Sequence, residues 1–363
     1  MAAHSDVINR AVVDIGKLEQ SNRDLARSLA PMLPESLTIG PDWNETSLLL
    51  PVQEKEINGA VAGVDSGFVD KPLFGFSLLL VRAVGVVFAF KDSKVVESHY
   101  YPNFFSFPVP VLNTQALDTM ELAASNGLTR LVEELETGIA LIEKFHPDFL
   151  LLDGSLLPQY TTTVPPSAPH HAIFVRVLQK VQQLFETAET SGCELVGCVE
   201  DSRATRFRSL LMEQLQKKNQ AIPAGLDHIM DAVLLDHLLS HRMRTASFSY
   251  TGEPLDHPIL SSFAKKWQGR VQCLYLRPAV LDRPLRIEFL AEPKNVASKA
   301  EKISPAIMAL AGNHREYAFP SVLIEADLRA RLRPEEIDII YNKIVDKLGK
   351  RLSRGLRRNS RPF

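Results

Sequence analysis

Hydrophobic positions along the chain follow two periods. Residues 5–32 carry Val7, Ile8, Val12, Ile15, Leu18 and Leu25 at helical spacing, which predicts an amphipathic helix ended by Pro31 and Pro34. The apolar run over residues 60–66 predicts a short buried strand closing on Asp65 and a glycine turn. Residues 75–90 and 94–101 predict two more strands, joined by a Lys91-Asp92-Ser93 turn. A helical pattern over 114–145 stops at His146-Pro147, because the residue before a proline is pushed out of the helical region. Residues 149–152 form a compact apolar strand ending at Asp153-Gly154, and 160–169 read as a Thr/Pro-rich loop.

Beyond it, helices are predicted at 170–190, 207–218 and 227–243, and strands at 194–199, 245–250, 271–278 and 285–290, with a mostly helical remainder. Strands alternating with helices predict an α/β protein, a mixed β-sheet flanked by helices with additional helical segments. No internal repeat or linker interrupts the pattern, so one domain with an irregular middle is expected.

Composition narrows the function. Over 363 residues, 41 Lys+Arg against 43 Asp+Glu give a net charge of -2, which excludes a uniformly basic nucleic-acid binder. Charge is nevertheless uneven: Lys343, Lys347, Lys350, Arg351, Arg354, Arg357, Arg358 and Arg361 face Asp346 alone in 343–363. The three cysteines, Cys193, Cys198 and Cys273, form no C-x-x-C pair, so neither a disulfide framework nor a thiolate zinc site is expected. Reduced thiols and an N-terminus without a signal-peptide layout predict a cytoplasmic protein. No apolar run approaches the ~20 residues of a membrane span.

Candidate chemistry lies at two strand ends, Gly63-Val64-Asp65-Ser66-Gly67 and Leu151-Leu152-Asp153-Gly154-Ser155-Leu156. Carboxylates ending adjacent buried strands project into a cleft and can share a hard divalent ion such as Mg²⁺ or Mn²⁺. Glycines beside them admit a close backbone or ligand. The bland alternative is that each Asp only caps a turn. Other chemistries fit poorly. The Asp153-Gly154-Ser155 run is similar to a phosphatase loop, but the nucleophile position holds Leu151. No G-x-S-x-G elbow and no G-x-x-x-x-G-K-[ST] loop occurs, which argues against a serine hydrolase and against ATP hydrolysis by this chain.

The two Asp motifs, in this order and spacing, resemble those of the NurA family of DNA-end-processing nucleases, from about Gly59 to Arg331. The Asp153 motif is the most specific match. Leu195 to Arg203 is similar to a family strand and polar turn, here Glu200-Asp201-Ser202-Arg203, and Asp227 to Thr245 to an Asp-bearing helix. The family's last element carries Tyr-Pro with a His eight residues after the Tyr; this chain has Phe319-Pro320 and Asp327. Asp327 retains a metal-binding oxygen, whereas Phe319 is left with packing. The division implied is a helical segment over 1–45, a nuclease domain over 46–340 and a basic tail over 341–363.

The resemblance implies an RNase H-like fold and a metal-dependent DNA nuclease. The expected activity is a 5′–3′ exonuclease, with single-strand endonuclease activity, in resection of double-strand breaks. It implies Mn²⁺, with Mg²⁺ as the alternative, a HerA-type hexameric ATPase as partner, and a homodimer. Asp65, Glu136, Asp153 and Asp327 are the implied catalytic metal ligands, with Asp65 bridging two ions. The apolar neighbours of Glu133, Glu134 and Glu136 do not decide which meets the sheet; the family spacing favours Glu136, with Glu133 second. Asp231 is a weaker alternate, more simply read as a helix-surface Asp.

Phosphate binding needs positive charge, for which Arg203, Arg206 and the tail residues Arg351, Arg354, Arg357 and Arg358 are candidates. Tyr100, Tyr101, Phe104, Phe105 and Phe107 offer stacking for single-stranded DNA, although such a cluster is more often a core or oligomer contact. The departures at Phe319 and Glu200 keep a non-catalytic adaptor, binding the translocase and DNA, as the alternative function. A small-phosphoester hydrolase is the third.

Overall fold

The computed structural model describes residues 2–33, 37, 39–40, 42–159 and 164–348. Helix α1 (Ala2–Leu29) precedes strands β1 (Leu49–Pro51), β2 (Gly59–Leu73), β3 (Phe76–Lys91), β4 (Lys94–Tyr101) and β5 (Val109–Asn113). Helix α2 (Thr119–Phe145) leads into β6 (Phe149–Asp153), helix α3 (His171–Ser191) into β7 (Glu194–Val199), and helices α4 (Arg206–Lys217) and α5 (Asp231–Leu238) follow. Strands β8 (Met243–Thr245), β9 (Phe248–Ser249), β10 (Val271–Leu276) and β11 (Leu285–Leu290) come next, then helices α6 (Val296–Ala311), α7 (Ser321–Ala330) and α8 (Pro334–Leu348). No described helix is long and apolar enough to cross a membrane.

These elements form two compact units, one drawn from 1–56, 198–254 and 269–320, the other from 57–197, 255–268 and 321–363. In the first, β8 lies between β1 and β10, β11 pairs with β10 on the other side, and β9 adds to β10. Trp43, Phe207, Phe248 and Tyr275 fill its core. Of the apolar positions expected on the N-terminal helix, only Leu25 is buried there; Val7, Ile8, Val12, Ile15 and Leu18 are exposed.

The second unit holds both Asp motifs. Its strands run in the order β7-β6-β2-β3-β4, with β5 on β3. β2 and β3 form one long antiparallel hairpin, while β6 joins β2 in parallel with Val64 opposite Leu152. The sheet is therefore mixed, as predicted, but β2 is 15 residues long where a short strand was expected. The β3–β4 turn is where the sequence puts it, with Asp92 and Ser93 both at positive φ. Helix α2 begins five residues later than its periodicity suggests, because Asp118 caps it: its carboxylate accepts the N–H groups of Met120 and Glu121, and Glu121 accepts the N–H of Asp118. His146 ends the helix in the left-handed conformation, one residue before Pro147.

The pleat of β2 sorts its side chains. Val64 and Ser66 face α2: a Cβ on Gly138 of α2 would lie 3.7 Å from Val64. Gly63, Asp65 and Gly67 face the other way, toward α7. A Cβ on Gly63 would lie 3.1 Å from the backbone of Val322, and one on Gly67 2.7 Å from the carbonyl oxygen of Ala330. Of the two close approaches the motif allowed, backbone or ligand, the glycines flanking Asp65 admit backbone, that of α7. Arg82 of β3 anchors the end of this arrangement, donating to the carbonyl of Arg331 (3.1 Å) and pairing with Glu336 of α8. Lys71 of β2 pairs with Asp338 and lies 4.3 Å from the Tyr341 ring, so residues 341–348, expected in the tail, are part of a docked helix.

Gly67→Ala should push α7 off β2. Overpacking against backbone typically costs about 1–3 kcal/mol, so the melting temperature should fall by several degrees, and an unchanged melting curve would contradict this packing.

Candidate active site

β6 ends at Asp153, and Gly154 turns away at φ +115. The ladder of β2 with β6 stops at Val64 and Leu152, so the next residues, Asp65 and Asp153, stand side by side at the carboxyl end of the parallel pair. Ends of parallel strands are where open α/β sheets place their sites. Asp65 is 9% exposed. Burial raises its carboxyl pKa first, then the charges of Glu134 and Asp153 and, more weakly, Asp327, against the N–H of Ser66; together they push it up to about 8. Three acidic neighbours from α2, β6 and α7 thus act on one carboxyl.

The α2 member of this group is Glu134, not Glu136. Glu134 lies one turn before Gly138 and is buried, and its carboxylate accepts from the Ser66 hydroxyl and from Arg130, whose Nη1 is 2.6 Å away. Arg130 Nη1 also donates to Ser66 Oγ at 2.7 Å. Burial raises the Glu134 pKa, and Arg130 and Ser66 partly offset the rise. Glu136 faces α3 instead, bridged by Arg176 (2.8 Å) and Lys180 (3.2 Å). Partial burial opposes the effect, but hydrogen bonds from these two cations hold its pKa below the usual range. Glu133 is half-buried, with Glu136 and Arg176 as its charged neighbours. The structure therefore does not bring Glu136 or Glu133 to Asp65, because their direction on α2 points them at α3.

The remaining expected residues divide. Asp327 is exposed on α7 and contributes to the field at Asp65. Asp231, in the other unit, is fully buried and caps α4: it accepts the N–H groups of Phe207 (3.0 Å) and Arg208 (2.9 Å), and Tyr275 donates its hydroxyl at 3.3 Å. Burial raises its pKa against those bonds. It is neither a helix-surface residue nor open to an ion. Arg206 is spent on Asp42 and Ser249, whereas Arg203 is exposed. Arg351, Arg354, Arg357 and Arg358 lie outside the described residues. Phe319 is buried and packs by Tyr317.

Among the described residues, no three His, Cys, Asp or Glu side chains close into a ready-made metal cage. The fit to a divalent ion rests on donor chemistry and charge. Asp65, Asp153 and Asp327 supply hard oxygen ligands, and burial, with the charges of Glu134, Asp153 and Asp327 added to it, raises the Asp65 pKa to about 8.

A family model described as the NurA domain matches residues 59–332. The fold is similar to that of the NurA nuclease from Sulfolobus solfataricus, with a TM-score of 0.60 and 13% identity over 94% of this chain and 95% of that one. A NurA bound to dAMP and manganese matches at a TM-score of 0.51 and 10% identity, over 93% and 94% of the two chains. A NurA with manganese matches at 0.52 and 9% identity, over 93% and 98%. At these identities the likeness establishes the fold, a mixed α/β, RNase H-like sheet flanked by helices. No curated protein sequence matches the chain.

The electrostatics give a test that needs no activity. An unfolded Asp loses its proton near 3.8, the folded Asp65 only near 8. The folded state therefore binds the extra proton between these values, and stability falls as pH rises through that window. Without divalent ions, Asp65→Asn should raise the melting temperature by several degrees at pH 8 and leave it nearly unchanged near pH 4. Equal melting temperatures at pH 8 would show that Asp65 is not under this load.

Proposed function

The chain belongs to the NurA domain family, and on that premise we propose that it is a metal-dependent nuclease that hydrolyses DNA phosphodiester bonds at the Asp65–Asp153 pair. The observation that carries this reading is the loading of Asp65 by acidic neighbours from three separate elements at one strand end. A structural Asp is ordinarily capped or paired, as Asp231 is; an acid held at a pKa of about 8 by burial and then by other acids suits a site completed by a cation.

Asp65 and Asp153 would hold the ion, with Asp327 entering from α7. Manganese is the ion proposed, supported by its presence in the NurA structures described above; magnesium presents the same hard-ion chemistry. Bound there, a divalent ion polarises a phosphoryl oxygen and lowers the pKa of attached water. The chain's own residues do the rest. Its carboxylates would hold the ion, and Asp65 would release its proton to solvent on ligating it. Arg130, clamped on Glu134 and Ser66, keeps a permanent positive charge next to the acids, partly exposed and able to donate to a phosphate oxygen. Glu134, held by two partners, positions Ser66 and Arg130.

DNA as substrate is supported by the dAMP bound in one NurA structure. The finer activity we propose is 5′–3′ exonuclease action, with single-strand endonuclease activity, during resection of double-strand breaks. The chain carries no G-x-x-x-x-G-K-[ST] loop, in keeping with a borrowed motor, a HerA-type hexameric ATPase. A homodimer and a cytoplasmic setting complete the reading; the three cysteines are buried and none is in a disulfide among the described residues, as suits a reducing compartment.

Cutting of end-labelled DNA in Mn²⁺ tests the assignment. Asp65→Ala and Asp153→Ala should each cost more than the roughly 10–100-fold typical of losing an outer-shell partner. Glu134→Gln should reduce activity strongly and Glu136→Gln by little. The reverse order for the two glutamates would place Glu136 at the site.

Asp327→Asn should raise the Mn²⁺ concentration for half-maximal cutting several-fold, while Asp327→His retains part of the activity. An unaltered Mn²⁺ titration in Asp327→Asn would remove Asp327 from the ligand set.

A further inference from the structure

The opposite flank of α7 carries a second constellation, outside the acidic cluster. On a helix, Glu325 and Arg329 lie on one flank and Asp327 about 200° away. Arg329 is bound to Glu325 at 2.8 Å, and Glu325 accepts from the Tyr100 hydroxyl at 3.1 Å. The Arg329 guanidinium then lies 3.9 Å from the centroid of the Phe104 ring and 5.6 Å from that of Tyr100. Phe104 packs edge-on against both Tyr100 and Phe105, at 4.7 Å in each case. Tyr100 and Phe104 are thus fixed to α7, while Phe105 and Phe107 stand 83% and 75% exposed. Tyr101, the next residue on β4, points to the other face of the sheet, where Lys144 of α2 is 5.4 Å from its ring and 5.2 Å from that of Phe145.

Exposed aromatic clusters of this size mark an interaction surface. The cation among the rings narrows the partner. Exposed rings beside an Arg suit a ligand that is flat, apolar and attached to phosphates. We propose that Tyr100, Phe104, Phe105, Phe107 and Arg329 form a stacking platform for unpaired nucleotides of the substrate strand. The proposal rests on the nuclease reading and makes it more specific. Strand bases stack on Phe105 and Phe107 while Arg329 meets a phosphate. A strand held there crosses α7, about one helix width of 10–12 Å, to reach Asp327 and Asp65. Leu328, 60% exposed, caps that crossing. A duplex keeps its base faces covered, so the platform selects single-stranded ends.

The test uses the full chain and an oligothymidylate, with binding read by fluorescence anisotropy without divalent ions and cutting read separately in Mn²⁺. Phe105→Ala with Phe107→Ala should weaken oligothymidylate binding by about tenfold or more, and affect a blunt duplex far less. Phe105→Trp should bind as tightly as the wild type and show quenched indole emission on adding the oligonucleotide. Unchanged binding in the double-alanine variant, or an unquenched Trp in a chain that binds, overturns the platform. Sedimentation of the double variant as a smaller species, with oligonucleotide binding retained, would assign the patch to a second copy of the chain. If the wild type binds and the Phe105→Trp variant is quenched but neither cuts, the nuclease reading fails and the platform stands. If it cuts but the double variant binds normally, only the platform fails.

Discussion

Two carboxylates on neighbouring parallel strands repel each other, and burial makes that repulsion expensive. The Asp65–Asp153 juxtaposition exists because β6 pairs with β2 in parallel and ends at Asp153. It persists because helices close on β2 from both faces: α2 through Gly138 and α7 onto Gly63 and Gly67. Packing of these helices fixes the backbone, so the acids cannot separate to relieve their charge. The site's chemistry follows from this constraint. One acid holds its proton to about pH 8, an adjacent arginine is taken up by a buried glutamate, and a cation is the natural complement.

Much of this was legible in the sequence. Asp65 and Asp153 were legible because apolar strand runs ending in Asp-Ser-Gly and Asp-Gly-Ser carry their own burial and turn chemistry. The strand at 285–290 and the Asp92-Ser93 turn were equally clear. β1 and β5 were not, because each is short and contains a proline, Pro51 and Pro110, which weakens a strand signal. The helix glutamate was misplaced because family spacing assumes a fixed offset to Asp153, while the direction of each side chain is set by the packing of α2 on two neighbours. Gly138 was the missed signal: a glycine inside a helix marks close approach, and the residue one turn before it, Glu134, meets the same neighbour. Asp231 and Arg206 show the converse. Both looked like free surface charges, and both are tied to partners distant in sequence, which no local pattern reveals.

Arg82 links the site to the C-terminal helix in a mechanical sense. It holds the Arg331 carbonyl, just past α7, and Glu336, near the start of α8, from a strand that is hydrogen-bonded to the Asp65 strand along its whole length. Lys71 adds a second rivet to α8 through Asp338 and Tyr341. The hairpin bearing Asp65 and the helix bearing Asp327 thus share one bolt. A load applied to α8 is not absorbed by a slack connection: it is delivered through Arg82 to both sides of the acidic notch at once.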